Sequence, residues 1–127
     1  MDATDFYEQA ILEATFTGGA PLDHPQRYAG LFTTSPTDVG TDGVEVSAAS
    51  YVRVPIPAAT PSGGSVSNGV AIVWPPAAES WGTVTAIGIF DAITAGNLLL
   101  YETGLSDAIA AGQTASIGTG DLTVTVA

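Results

Sequence analysis

The segment from Trp81 to Tyr101 constrains the fold of this chain most, because it has the pattern of a β-hairpin. Two apolar runs flank the stretch 91–97, which reads Asp-Ala-Ile-Thr-Ala-Gly-Asn. Apolar runs bounded by Asp, Gly and Asn are typical of strands that are joined by a turn. The sequence therefore predicts two antiparallel strands in this segment.

The rest of the chain has one helical pattern and several short strand patterns. Asp5 can cap a helix, with Glu8 reaching back as in a capping box, and Gly18-Gly19 can end it. This predicts a helix over about 5–17. The segments with strand patterns are 27–34, 51–54, 70–74, 115–117 and 122–126, and the predicted polar loops are 37–43 and 58–68.

The spacing of these patterns indicates the fold class. Short strands separated by turn signals are typical of sandwiches and barrels. We predict a mainly β fold, an antiparallel β-sandwich (jelly-roll-like) or a small barrel, with one short N-terminal α-helix. The chain has 127 residues and no cysteine, and a chain of this length can bury a core without disulfides. We expect one domain over 1–127, with its strands from about 27 to 126.

The charge balance limits the partners of the chain. Thirteen acidic residues stand against two arginines and no lysine, which gives a formal net charge of -11. Such a surface repels phosphate, which argues against nucleic-acid binding and against binding to an anionic membrane. The chain also lacks an apolar run of roughly 20 residues and the pattern of a secretory signal. We therefore expect a protein that is made and assembled in a cytoplasm.

The signal for a metal site is weak. Asp38, Asp42 and Gly43 match part of a calcium loop, but Gly40 stands where Asp or Asn is expected, and Ala49 replaces the closing Glu. Asp and Gly are also the usual residues of polar turns, and we favour that interpretation.

The signals for catalysis are weaker still. His24 is the single histidine, and no Gly-x-Ser-x-Gly motif accompanies it, so a connecting loop is favoured over a triad with Asp23. A glycosidase site needs a pair of carboxylates. With thirteen acidic residues such a pair arises by chance, so its presence in this chain does not indicate a glycosidase. Asp91 is expected to accept backbone N–H bonds in the hairpin turn. We predict no catalytic, cofactor-binding or metal-binding residues, and no cofactor.

Three aromatic residues and one arginine are candidates for binding. Trp74 and Trp81 flank the Pro75-Pro76 bend and, like Tyr51, could stack on a sugar, although packing in a core or interface is the commoner use of Trp. Arg53 is expected to pair with a carboxylate.

Several segments resemble a known family in the same order along the chain. The hairpin, with Trp-Gly-Thr-Val-Thr, Gly-Ile-Phe-Asp-Ala and Gly-Asn-Leu-Leu-Leu-Tyr, is similar to small structural proteins of tailed phages. These proteins are often labelled tail-fibre-like, and related small β-proteins decorate capsids. The other similar segments are 8–18, 28–38, 43–53 and 120–126. The chain departs from the family at Ala48-Ala49, where Gly-Gly is usual, and around 108–112, where lysines are common.

The resemblance implies a virion component with no known catalytic residues. Our main hypothesis is a non-enzymatic cement or decoration protein on the capsid exterior, bound to the major capsid protein as a small homo-oligomer and stabilising the assembled shell. The first alternative is a tail component, such as a tail-fibre-like, tube or baseplate protein. The second is a carbohydrate-binding module for host recognition, with Trp74, Trp81 or Tyr51 as stacking platforms.

Overall fold

The computed structural model describes residues 1–19 and 26–126. It is mainly β with antiparallel strands and a short N-terminal helix, as predicted. The helix α1 spans Asp5–Leu12 and continues into a π-helical turn over Glu13–Thr17. The strands are β1 Asp2–Ala3, β2 Tyr28–Thr34, β3 Val44–Glu45, β4 Val54–Pro55, β5 Ser65–Ser67, β6 Ile72–Val73, β7 Gly82–Phe90, β8 Leu98–Ile109, β9 Ser116–Ile117 and β10 Thr123–Thr125.

The largest sheet is built on the predicted hairpin. β7 and β8 pair antiparallel, with Gly88 opposite Tyr101 and Ile89 opposite Leu100. β2 pairs with the other side of β7, and the order across the sheet is β1-β8-β7-β2-β3, with β4 also paired to β2. Two small sheets, β5 with β10 and β6 with β9, supply further core residues, so the sheets pack in a sandwich-like way.

The central strand β7 is buried on both faces near the hairpin turn. Successive side chains of a strand point to opposite faces. Ile87 and Ile89 belong to the larger core cluster, which also contains Trp74 and Trp81, whereas Ala86 and Phe90 belong to a second cluster. This double burial explains why β7 has a nearly continuous apolar run in the sequence.

The N-cap of the helix lies one residue before the predicted one. Thr4 is the N-cap, because its Oγ1 accepts a hydrogen bond from the Tyr7 N–H at 3.4 Å. The same hydroxyl donates to the Leu98 carbonyl at 2.7 Å, and this contact with β8 selects Thr4 over the predicted cap Asp5. Gly18, at φ 71°, ends the helical segment as predicted.

Several predicted strand and loop boundaries were wrong. In 51–54 only Val54 belongs to a strand, because Tyr51 and Arg53 are turned inward to a carboxylate described below. The predicted loop 58–68 contains β5, whose polar strand forms by pairing with the distant β10. The strand predicted at 70–74 is reduced to Ile72–Val73.

Candidate functional site

Glu45, Tyr51 and Arg53 form a polar network beside the hairpin turn. The Glu45 carboxylate accepts hydrogen bonds from Arg53 Nε at 2.9 Å, from Arg53 Nη2 at 2.8 Å and from the Tyr51 hydroxyl at 2.6 Å. Arg53 Nη1 donates to the carbonyl oxygens of Ala92 and Ala95 at 2.9 and 2.7 Å. Arg53 therefore pairs with a carboxylate, as predicted, and it also ties β3 to the turn between β7 and β8.

Aromatic rings enclose this network. The guanidinium carbon of Arg53 lies 3.5 Å from the centre of the Phe90 ring, and Tyr51 packs edge-on against Trp81. Burial, followed by the hydrogen bond to Glu45, raises the pKa of Tyr51 well above its usual range. Bidentate pairs between Arg and a carboxylate are strong and directional. Because their charged groups are used within the fold, Glu45 and Arg53 have a structural role.

The two tryptophans lie in the interior, which is the interpretation favoured from the sequence over the alternative of sugar-stacking platforms. Trp74 and Trp81 are 2% and 4% exposed, and the ring of Tyr51 is packed against Trp81. Trp81 Nε1 donates to Ser50 Oγ at 2.9 Å, whereas Trp74 Nε1 has no acceptor among the described residues. The carbohydrate-binding hypothesis therefore lacks the exposed rings on which it depended.

The loop 37–43 uses its aspartates in hydrogen bonds within the fold. Asp42 accepts from the hydroxyl and the backbone N–H of Thr37, and these bonds lower the pKa of Asp42. Asp38 accepts from the hydroxyl of Tyr101, which raises the pKa of Tyr101 to about 12. This is the arrangement of a polar turn, the interpretation favoured from the sequence. In residues 1–19 and 26–126, no group of three acidic or histidine side chains could hold a metal ion.

Of the remaining candidate residues from the sequence, Asp91 lies in the hairpin turn. Asp91 accepts from the backbone N–H of Asn97 at 2.7 Å, as predicted for the hairpin turn, and from its side-chain amide at 3.0 Å. His24 and Asp23 lie outside the described residues. The described part of the chain has no helix of the length and apolarity that a membrane crossing requires.

A different surface lies at the end of the hairpin that is far from the turn. β8 runs for 12 residues, and most of its residues from Glu102 onward are exposed. A cleft of about 580 Å³ borders this part of the strand. Its lining includes the apolar side chains of Trp74, Leu105, Ile109 and Leu122 and the acidic side chains of Glu102, Asp107 and Asp121.

Sequence reasoning did not predict the network around Glu45 or the full length of β8, and each omission has a physical reason. The sequence predicts a carboxylate partner for Arg53 but not which one, although a carboxylate, a phenol and a guanidinium within nine positions could indicate a network. The outer part of β8 contains Gly104, Ser106 and Asp107, which are residue types depleted in strands or common in turns. The prediction therefore ended the hairpin at Tyr101, eight residues too early.

Comparison with known proteins shows the family. Residues 2–125 match the family described as podophage GP4 fiber I protein gp80. The chain belongs to this family. It is thus a structural protein of a phage particle, of the fibre type, as the resemblance of its segments indicated. No curated protein matches the chain.

Proposed function

We propose that this protein is a non-enzymatic building block of the tail fibre apparatus of a phage. The observation that carries the proposal is the match of residues 2–125 to a family whose description names a podophage fiber protein. The interior network supports the non-enzymatic part of the proposal. Glu45, Tyr51 and Arg53 form hydrogen bonds with one another, and these bonds hold the fold together.

In this role the domain acts as a rigid block that binds other tail proteins. A core on both faces of β7 makes the block stiff near the hairpin turn, and exposed edges remain for assembly. A small symmetric oligomer of the chain is one part of this proposal. A formal net charge of -11 favours protein partners over nucleic acid.

The family description favours this tail role over the cement role that we predicted first. The family is described by a fiber protein and not by a capsid protein. Binding to the major capsid protein stays a prediction, and the experiment that tests the tail role tests it too.

Electron cryo-microscopy of the particle, with a short epitope inserted between Gly63 and Gly64, tests the proposal. These glycines form an exposed turn before β5, and a Cβ at Gly63 would meet no atom within 4 Å. We expect antibody label and protein density on the tail, and no label on untagged particles. Label on the icosahedral shell would favour the cement role. Absence of the protein from purified, infectious particles would overturn both structural roles.

A further inference from the structure

The outer half of β8 is an open edge of the main sheet. β1 pairs with the outer side of β8 at Leu100 and Tyr101, and β7 pairs with the inner side as far as Ile109. Within residues 1–19 and 26–126, no strand pairs with the outer side of 102–109. Such an edge presents backbone N–H and C=O groups to which an extended chain can add as a strand.

A β-bulge separates this edge from the buried part of the hairpin. Val84 pairs with Asp107 and Ala86 pairs with Thr103, so four steps along β8 match two steps along β7. Gly104, inside the bulge, has φ 86°, a conformation that favours glycine. Bulges and charged residues also hinder indiscriminate pairing between edges. The edge is therefore suited to a partner that is selected by its side chains.

The acidic cleft beside this edge indicates which side chains are selected. Glu102 and Asp107 lie on β8 itself, and Asp121 lines the cleft from the chain segment that follows β9. We call these three acidic residues the acidic rim of the cleft. The lining also includes Leu105 and Ile109, which are half-buried. An occupant that matches this surface combines apolar side chains with positive charges.

The chain itself has little positive charge to offer. It contains two arginines and no lysine, and Arg53 is paired with Glu45. The Met1 amino group lies 4.0 Å from Glu102, whose side chain stays 54% exposed. A second copy of the chain would bring the same net charge of -11, and like charges repel. The complementary charges are therefore those of a different protein.

We propose that the outer edge of β8, residues 103–108, binds an extended segment of a partner protein that carries both basic and apolar side chains on its cleft-facing side, that is, at every second position. The partner backbone adds a strand to the sheet, its apolar side chains cover Leu105 and Ile109, and its Lys or Arg side chains pair with the acidic rim. This inference rests on the proposed function, since it names the surface by which the domain joins another virion protein.

Binding of synthetic peptides to the isolated protein tests the proposal. The probe is an eight-residue peptide with Lys and Val in turn at every second position and Thr at the positions between, so that Lys and Val share one face. One control peptide has Glu in place of Lys, and the other is the Lys-Val peptide with every backbone nitrogen methylated, which keeps the charge and prevents strand pairing. We expect saturable binding of the unmodified Lys-Val peptide and at least tenfold weaker binding of both controls, because strand addition depends on main-chain hydrogen bonds.

The two indole N–H groups report where the peptide binds. Trp74 lines the cleft, whereas the indole N–H of Trp81 is bonded to Ser50 at a different place in the core. In nuclear magnetic resonance spectra we expect the Trp74 indole signal and the amide signals of 103–108 to shift, and the Trp81 indole signal to stay. Shifts confined to another surface, such as α1, would overturn the proposal.

A pair of matched charge variants separates site binding from general attraction. Glu102→Gln with Asp107→Asn removes two charges from the rim, and Asp5→Asn with Glu8→Gln removes the same charge from the exposed face of α1. We expect the rim variant to weaken binding roughly three- to tenfold and the helix variant to weaken it less than about twofold. Equal weakening by both, equal binding of the methylated peptide, or no saturable binding at millimolar peptide would each overturn the proposal.

This test is independent of where the particle carries the protein. Tail location without peptide binding would leave the proposed function standing and remove the docking edge. Peptide binding by a protein that is absent from particles would do the reverse.

Discussion

The two ends of the β7–β8 hairpin are built in different ways. At the turn end, Phe90 and Leu98 are buried, and Arg53 donates to carbonyl oxygens of the turn. At the open end, most of β8 after Tyr101 is exposed, and the outer side of the strand is unpaired within the described residues. The change from the buried part of β8 to its exposed part occurs near the bulge around Gly104.

This difference shows where the stability of the domain is concentrated. The side chains of Arg53 and Glu45 are only 10% and 24% exposed, so breaking their ion pair is costly because the remaining charge is poorly solvated and lacks its main partner. The exposed strand buries little apolar surface, so substitutions on its solvent side change the free energy of unfolding little. The turn end is fixed by burial and by the ion pair, whereas at the open end β7 stays anchored through Trp81 and Val84 and the outer part of β8 is free to present a binding surface.

Replacing Arg53 with Ala has the largest expected effect. The change removes the donor of two turn carbonyls and leaves the Glu45 carboxylate with the Tyr51 hydroxyl alone, and we expect it to lower the free energy of unfolding by about 3 kcal/mol. Urea unfolding measures the loss. The control is Arg27→Ala, which removes the same charge from a half-buried residue. A loss no larger than that of the control would show that the network does not stabilise the turn end.

Gly88→Ala tests the packing at the turn end. A Cβ there would lie 2.5 Å from Leu98 Cδ1 and 2.8 Å from Phe32 Cε2, so we expect a loss of about 2 kcal/mol. Ala108→Val adds more volume at the exposed open end and is expected to cost less than about 0.5 kcal/mol. Thermal unfolding of both variants compares the ends directly. Equal effects would contradict the difference between them.

An alkaline titration tests Tyr51, in the network with Glu45, and Tyr101, at the last pairing of β8 with β1. The pKa of Tyr51 and that of Tyr101 are raised above the ordinary 10.0, so the folded protein keeps these protons where the unfolded chain loses them. Their contribution to stability is therefore complete below about pH 10 and is lost as the pH rises through the folded values. Tyrosinate absorbance should show two late-ionising groups, one removed by Tyr51→Phe and one by Tyr101→Phe. Ionisation of every tyrosine near pH 10 in the folded protein would contradict this.

The two tryptophans should differ when each is replaced by Phe. Trp81→Phe removes the hydrogen bond to Ser50, whereas Trp74→Phe removes an N–H that has no acceptor in the described part of the chain. We expect Trp81→Phe to be the more destabilising by about 1 kcal/mol. Urea unfolding of the two variants measures this difference. The reverse order would show that the indole of Trp74 finds a partner in solution.

The rim variant Glu102→Gln with Asp107→Asn has the smallest expected effect on stability. Both side chains are exposed, and removing two like charges from an acidic protein should change the free energy of unfolding by less than about 0.5 kcal/mol. Urea unfolding of this variant and of the helix variant provides the comparison. A loss above 1 kcal/mol would mean that the open end supports the fold as well as presenting a surface.

Local patterns in the sequence determined a substantial part of this protein. The hairpin, the helix end at Gly18 and the Asp91 bond in the turn depend on residues near each other in the chain, and all were predicted. The mainly β class follows from the same strand and turn signals, and the order of the segments indicated a phage structural family. Such features can be predicted because the interactions that form them join residues that are close in the chain.

Tertiary contacts alone decided the rest. Thr4 caps α1 and binds a carbonyl of Leu98, 94 residues away, and β5 is a strand because β10 pairs with it. Arg53 reaches both Glu45 and the turn carbonyls because β2 pairs with β3 on one side and with β7 on the other. The open edge of β8 exists because pairing on one side ends at Tyr101 while it continues on the other. These choices depend on which distant groups become neighbours, and no short stretch of sequence carries that information.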